Sequence, residues 1–120
     1  MFLVFDTETT GLPKRWNAPI DDLDNWPRCV QLAWQLHDAN GKLIENQNYL
    51  IKPVDFDIPF ESEKIHGIST ELAKSHGDEL DFVLKQFEKA LNKAQFIVGH
   101  NIKFDKNIIG AEFLRAGNKK

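Results

Sequence analysis

Apolar residues fill Met1–Phe5 and stop at Asp6, a pattern that predicts a buried strand over 1–7. From Cys29 to Leu36 the pattern alternates instead. Val30, Leu32, Trp34 and Leu36 are expected on one face, with Cys29, Gln31, Ala33 and Gln35 on the other. Asp38-Ala39-Asn40-Gly41 is a turn signal and 42–52 a returning strand, so 28–52 is predicted to be a β-hairpin. The period then changes. Leu80, Val83, Leu84, Phe87, Ala90, Leu91 and Ala94 form one apolar stripe, predicting a helix over 79–94 capped by Asp78. Phe96-Ile97-Val98 predicts a short buried strand within 95–99. A second helix follows over 104–116, with Phe104, Ile108, Ala111 and Leu114 inward and Gly117 as its stop. Shorter helical turns are expected at 62–65, ended by Gly67, and from Ser69 onward. A helix between two strands implies a right-handed crossover, which sets 95–99 parallel to 1–7 in a mixed α/β sheet.

Between these elements, 14–27 is a loop rich in proline and acid, with Trp16 and Trp26 as expected anchors. The chain has 120 residues, 42% hydrophobic and 28% charged, the composition of one globular domain or part of one. No stretch approaches membrane length. The single cysteine, Cys29, allows no internal disulfide and suits a reducing cytoplasm. It is expected to be a core residue and not a nucleophile. The formal net charge of −3 argues against binding nucleic acid by phosphate contacts alone. It is compatible with an enzyme whose carboxylates hold divalent cations, since bound cations invert the local field.

Asp6 and Glu8 end the first predicted strand two residues apart, so both project from one face. Paired carboxylates at a core strand's end repel each other unless a cation lies between them. Thr7, Thr9 and Thr10 interleave with these acids, and Gly11 permits close backbone approach to a ligand. Asp105 follows the strand 95–99 across Gly99–Lys103. If that strand lies beside 1–7, Asp105 reaches the sheet edge that carries Asp6 and Glu8. Taken alone, Asp105 is better explained as an acid in the first helical turn, favoured by the helix dipole, and its convergence with Asp6 and Glu8 shifts that balance. His66, His100 and Asn101 lie in loops, and Asn101 also suits a helix N-cap. His37 and His76 read as solvated. No P-loop, CxxC pair or Gly-x-Ser-x-Gly elbow is present.

Phe5-Asp6-Thr7-Glu8-Thr9-Thr10-Gly11, then His66-Gly67-Ile68, then Gly99-His100-Asn101-Ile102-Lys103-Phe104-Asp105 occur in that order. On these motifs the chain resembles the DnaQ-like, four-carboxylate 3′–5′ exonucleases, and most of all the proofreading epsilon subunit of bacterial DNA polymerase III. The resemblance implies an RNase H-like mixed β-sheet flanked by helices and release of nucleoside 5′-monophosphates from a 3′ end. It implies two divalent cations, Mg²⁺ or Mn²⁺, with Asp6 bridging both, Glu8 at one and Asp105 at the other. Thr7, Thr9, Gly11 and Leu12 match positions that hold the terminal nucleotide. His66 and Phe104 match positions that wedge or stack on the last bases, and Asn101 a supporting polar residue. The implied partners are a single-stranded 3′ end, DNA before RNA, and a polymerase subunit.

The family's last motif, a His or Tyr base with a fourth carboxylate five residues on, has no counterpart. After Asp105 the one acid is Glu112, in mid-helix, and there is no histidine. Residues 1–120 are therefore expected to be the N-terminal part of a single exonuclease domain, lacking its last strand and helix and inactive or weak alone. An uncovered edge at 95–99 is expected to favour self-association. An RNase T-like or oligoribonuclease-like exoribonuclease, or a non-catalytic binding module, are the alternatives.

Overall fold

The computed structural model describes residues 1–117. Its elements run β1 (Phe2–Thr9), β2 (Cys29–His37), β3 (Leu43–Leu50), α1 (Phe60–His66), α2 (Thr70–His76), α3 (Leu80–Lys93), β4 (Phe96–Val98) and α4 (Ile102–Arg115). The expected hairpin forms, β2 pairing antiparallel with β3, and β1 pairs antiparallel with β2. The crossover through α3 sets β4 parallel to β1, so the strand order is β3-β2-β1-β4. This is the mixed α/β sheet that the sequence predicts.

Along β1, Leu3, Phe5 and Thr7 are buried, whereas Phe2, Val4 and Asp6 are exposed. Leu3 and Phe5 join Leu32, Trp34 and Leu36 of β2, Val83, Leu84 and Phe87 of α3, and Ile108 of α4 in one core cluster. Phe87 packs at 5.1 Å from Phe5 and 5.2 Å from Trp34, centroid to centroid. Burying each such side chain contributes about 1.5–3 kcal/mol, enough to set which face of β1 turns inward. Asp6 and Glu8 are thereby turned away from the core and Thr7 toward it.

Several expectations are corrected. Cys29 is buried along with Val30, because the register slips between Glu8 and Thr9, where Thr9 pairs with Cys29 and Val30 is the extra residue. Helix α3 begins after Glu79, and Asp78 does not cap it. Its backbone N–H donates to Leu50 O and its carbonyl accepts from Lys52 N, tying the loop to the end of β3. Strand β4, expected to be buried, is exposed at all three residues: Phe96 60%, Ile97 40% and Val98 46%. It is the sheet's edge, and Phe96 stacks on Phe2 on an open face. Trp26 anchors its loop, buried and donating to Pro19 O, whereas Trp16 is 51% exposed. Of the residues expected inward on α4, Ile108 and Ala111 are buried and Phe104 and Leu114 only partly so. No helix among the described residues is long and apolar enough to cross a membrane.

Candidate active site

The end of β1 is held from both sides. Thr10 exchanges backbone and hydroxyl hydrogen bonds with Arg28, fixing where the chain leaves the strand. Gly11 then takes φ 155°, a conformation in which a side chain is rarely tolerated. From the other side, α1 reaches back. Ser62 Oγ donates to Thr10 O at 2.7 Å, and His66 Nε2 lies 3.2 Å from Thr9 O. His66 Nδ1 accepts from Ile68 N at 3.1 Å, so the ring carries its proton on Nε2 and donates it to Thr9 O. The left-handed Gly67 that ends α1 makes this return possible.

These contacts enclose a cavity of about 250 Å³ lined by Thr7, Glu8, Thr9, Gly11, Leu12, Ser62, Ile65, His66 and Phe104. All but one of the expected substrate-contacting residues thus meet in one place. Asn101 is the exception. It occupies the N-cap position of α4 but is exposed, makes no side-chain cap bond and lies outside the cavity lining. Ser62 and Ile65 line the cavity although no sequence signal singles them out, because α1 is joined to β1 only through the fold.

Asp105 sits in the first turn of α4 at 2% exposure. Thr7 Oγ1 donates to its Oδ1 at 2.7 Å. Its Oδ2 is the one buried side-chain N or O atom among the described residues without a hydrogen-bond partner. Burial pushes the Asp105 carboxyl above its usual range. The Thr7 hydroxyl opposes that rise, and the negative fields of Asp6 and, more weakly, Glu8 add to it. Asp105 therefore feels the charge of the other two acids, although among the described residues no three acidic, His or Cys side chains are drawn together tightly enough to hold an ion as they stand. Asp6 lies in an open depression beside Ala33, Gln35 and Asn46, with no cationic side chain in its lining among the described residues.

Glu112 is the opposite case. Fully buried, it accepts from Arg28 Nε at 3.1 Å, Arg115 Nη1 at 3.0 Å and Cys29 N at 2.8 Å. Arg115 also donates to Leu23 O and Trp26 O. Glu112 is saturated by cations that pin the 14–27 loop and β2 to α4, and has no free valence for a metal. Burial, then the fields of Glu112 and Asp105, raises the Cys29 thiol well above its ordinary value, so it is no nucleophile.

Comparison with known proteins identifies the family and the fold. Residues 3–120 match a family described as exonuclease. The chain belongs to this family, and its sheet and motifs are those of the DnaQ-like 3′–5′ exonuclease fold. Over 113 residues it is 30% identical to the PolC-type DNA polymerase III of Mycoplasmopsis pulmonis, covering 94% of this chain and 7% of that protein. Its fold is similar to that of E. coli exonuclease I in complex with a dT13 oligonucleotide (TM-score 0.79, 23% identity), covering 98% of this chain and 24% of the other. The complex of the same enzyme with a dA16 oligonucleotide gives a TM-score of 0.78 at 22% identity, with the same coverage. The chain thus spans less than a quarter of either relative's length.

Proposed function

We propose that Asp6, Glu8 and Asp105 belong to a divalent-cation-dependent centre that hydrolyses the terminal phosphodiester at a nucleic-acid 3′ end and releases nucleoside 5′-monophosphates. The observation that carries this reading is a contrast between acids. Glu112 is buried and neutralised by Arg28 and Arg115. Asp105 is just as buried, is in no ion pair among the described residues and keeps one oxygen unpartnered. A buried carboxylate left in that state costs stability unless something cationic completes it. Hard carboxylate oxygens suit Mg²⁺ or Mn²⁺, so the donor set fits the ions the family resemblance implies. When bound, such ions orient a water and offset charge at the phosphate and the leaving 3′ oxygen.

The chain's own residues supply position. Asp6 and Glu8 are presented on one face of a strand whose register is locked by β2. Thr7 orients Asp105 from the opposite face. The backbone at Thr9, Gly11 and Leu12 forms one wall of the cavity, and Phe104 offers an aromatic surface for the last base. His66, braced between Thr9 O and Ile68 N, shapes the cavity floor.

We infer that DNA is the substrate and proofreading or repair the setting. The support is the PolC-type polymerase at 30% identity and a fold shared with an exonuclease solved on DNA oligonucleotides. We further infer that residues 1–120 are the front part of a single exonuclease domain. No histidine or tyrosine follows Asp105 in this sequence, so these residues alone should turn over slowly or not at all.

Digestion of 5′-labelled single-stranded DNA, beside RNA of the same sequence, tests both statements. The full reading frame should shorten DNA stepwise from its 3′ end with Mg²⁺ or Mn²⁺, and stop with Asp6→Asn or a chelator. Endonucleolytic products, or activity that survives Asp6→Asn, would overturn the reading. Fast turnover by residues 1–120 alone would overturn the second inference.

A further inference from the structure

The 14–27 loop presents Trp16 to solvent, yet the segment under it is tightly built. The Asn25 side chain is buried and clasps Arg15 at both backbone groups, accepting from its N–H at 2.7 Å and donating to its carbonyl at 2.9 Å. Lys14 N donates to Asn25 O, and Arg15 Nη2 meets Asp22 Oδ2 at 3.0 Å. An exposed indole on so constrained a loop loses little freedom when something stacks on it. Its ring centroid lies 5.5 Å from that of Phe104, the two planes at 49°. Phe104 lines the candidate cavity and Trp16 does not, so Trp16 adds an exposed second ring against the cavity's aromatic wall. Lys14 and Lys103, each close in sequence to one of the two rings, are exposed and in no ion pair among the described residues.

We propose that Trp16 is a stacking subsite for the base next to the 3′-terminal one, Phe104 serving the terminal base in the cavity. The two rings are too close for a base to enter between them, so each offers its own surface. An aromatic face beside flexible cations is the chemistry that binds a single strand without reading its sequence. This inference rests on the 3′-end reading above and extends it by one nucleotide.

The test is binding of a 3′-OH dT oligonucleotide to the 120-residue chain in Ca²⁺, read by anisotropy and by tryptophan fluorescence. Trp26 and Trp34 are buried, so quenching on binding reports Trp16. Trp16→Ala should weaken binding about tenfold, Trp16→Phe much less. An oligonucleotide abasic at the next-to-last position should lose about the same against the wild-type chain. Trp16→Ala with the abasic strand should lose nothing more, because residue and base act as one pair. If the two losses multiply, Trp16 only buttresses Phe104 and the subsite is refuted. Unchanged affinity of Trp16→Ala with intact wild-type binding also refutes it, and leaves the 3′-end reading standing. Failure of the wild-type chain to prefer a 3′-OH strand over the same strand with a 3′ phosphate would overturn both.

Discussion

The Thr7 hydroxyl donates to Asp105 Oδ1 across 2.7 Å, joining residues 98 positions apart. It connects the strand that carries Asp6 and Glu8 to the helix that carries the third acid. Because Thr7 lies between those two acids on the strand, it turns inward where they turn outward. One strand thereby sets the place of all three carboxylates.

Thr7→Val keeps the shape and removes the hydroxyl donor, so the buried carboxylate loses the side-chain hydrogen bond that its Oδ1 accepts. It is expected to lower stability by about 1–3 kcal/mol at neutral pH, measured by urea denaturation. A loss within about 0.5 kcal/mol, the size of an ordinary surface change, would show that the bond does not matter.

The raised Asp105 carboxyl makes a signed prediction about pH. The folded chain holds this proton more tightly than the unfolded chain, whose value is the ordinary 3.8. Stability from this group therefore falls as pH rises from that value through the raised folded value, and stays reduced above it. Without divalent cations, Asp105→Asn should be more stable than wild type at neutral pH, and the gap should close as pH falls to 4 and below. A gap that is independent of pH would contradict the burial argument.

Glu112→Gln breaks a buried charge cluster and should cost on the order of 3 kcal/mol. Calorimetric melting measures it. Because Glu112 is spent on Arg28 and Arg115, the folded variant should still gain stability from added Mg²⁺ as wild type does. Loss of that response would make Glu112 a ligand after all.

His66→Phe removes the acceptor for Ile68 N–H and the donor to Thr9 O. Amide exchange at Ile68 should accelerate, while Leu84 and Phe87 in the core of α3 stay protected. Equal acceleration everywhere would mean global destabilisation and no local brace.

Much of this was legible in the sequence for physical reasons. The alternation of β2 and the stripe of α3 are periodic signals, and the crossover rule sets β4 parallel to β1, while their pairing as neighbours comes from the structure. Asp6 and Glu8 stand out because paired acids at a core strand end need an explanation. Other features are not local. Glu112 reads as an ordinary mid-helix acid until Arg28, 84 positions away, folds against it. Phe96-Ile97-Val98 looks the same whether a sheet edge is covered or bare. Cys29 changes face because one extra residue, Val30, enters the ladder, which strict alternation cannot foresee. Trp16 and Trp26 are alike in sequence, and only the loop's hydrogen bonds make one an anchor and leave the other exposed.

The most direct measurement is Mn²⁺ binding to residues 1–120, followed by electron paramagnetic resonance and calorimetry. The wild-type chain should bind Mn²⁺ weakly but saturably, with Mg²⁺ competing. Asp6→Asn and Asp105→Asn should each reduce that binding, and Glu112→Gln should not. Binding that ignores Asp6 and Asp105, or none at millimolar Mn²⁺, would contradict the claim that these carboxylates form a cation centre.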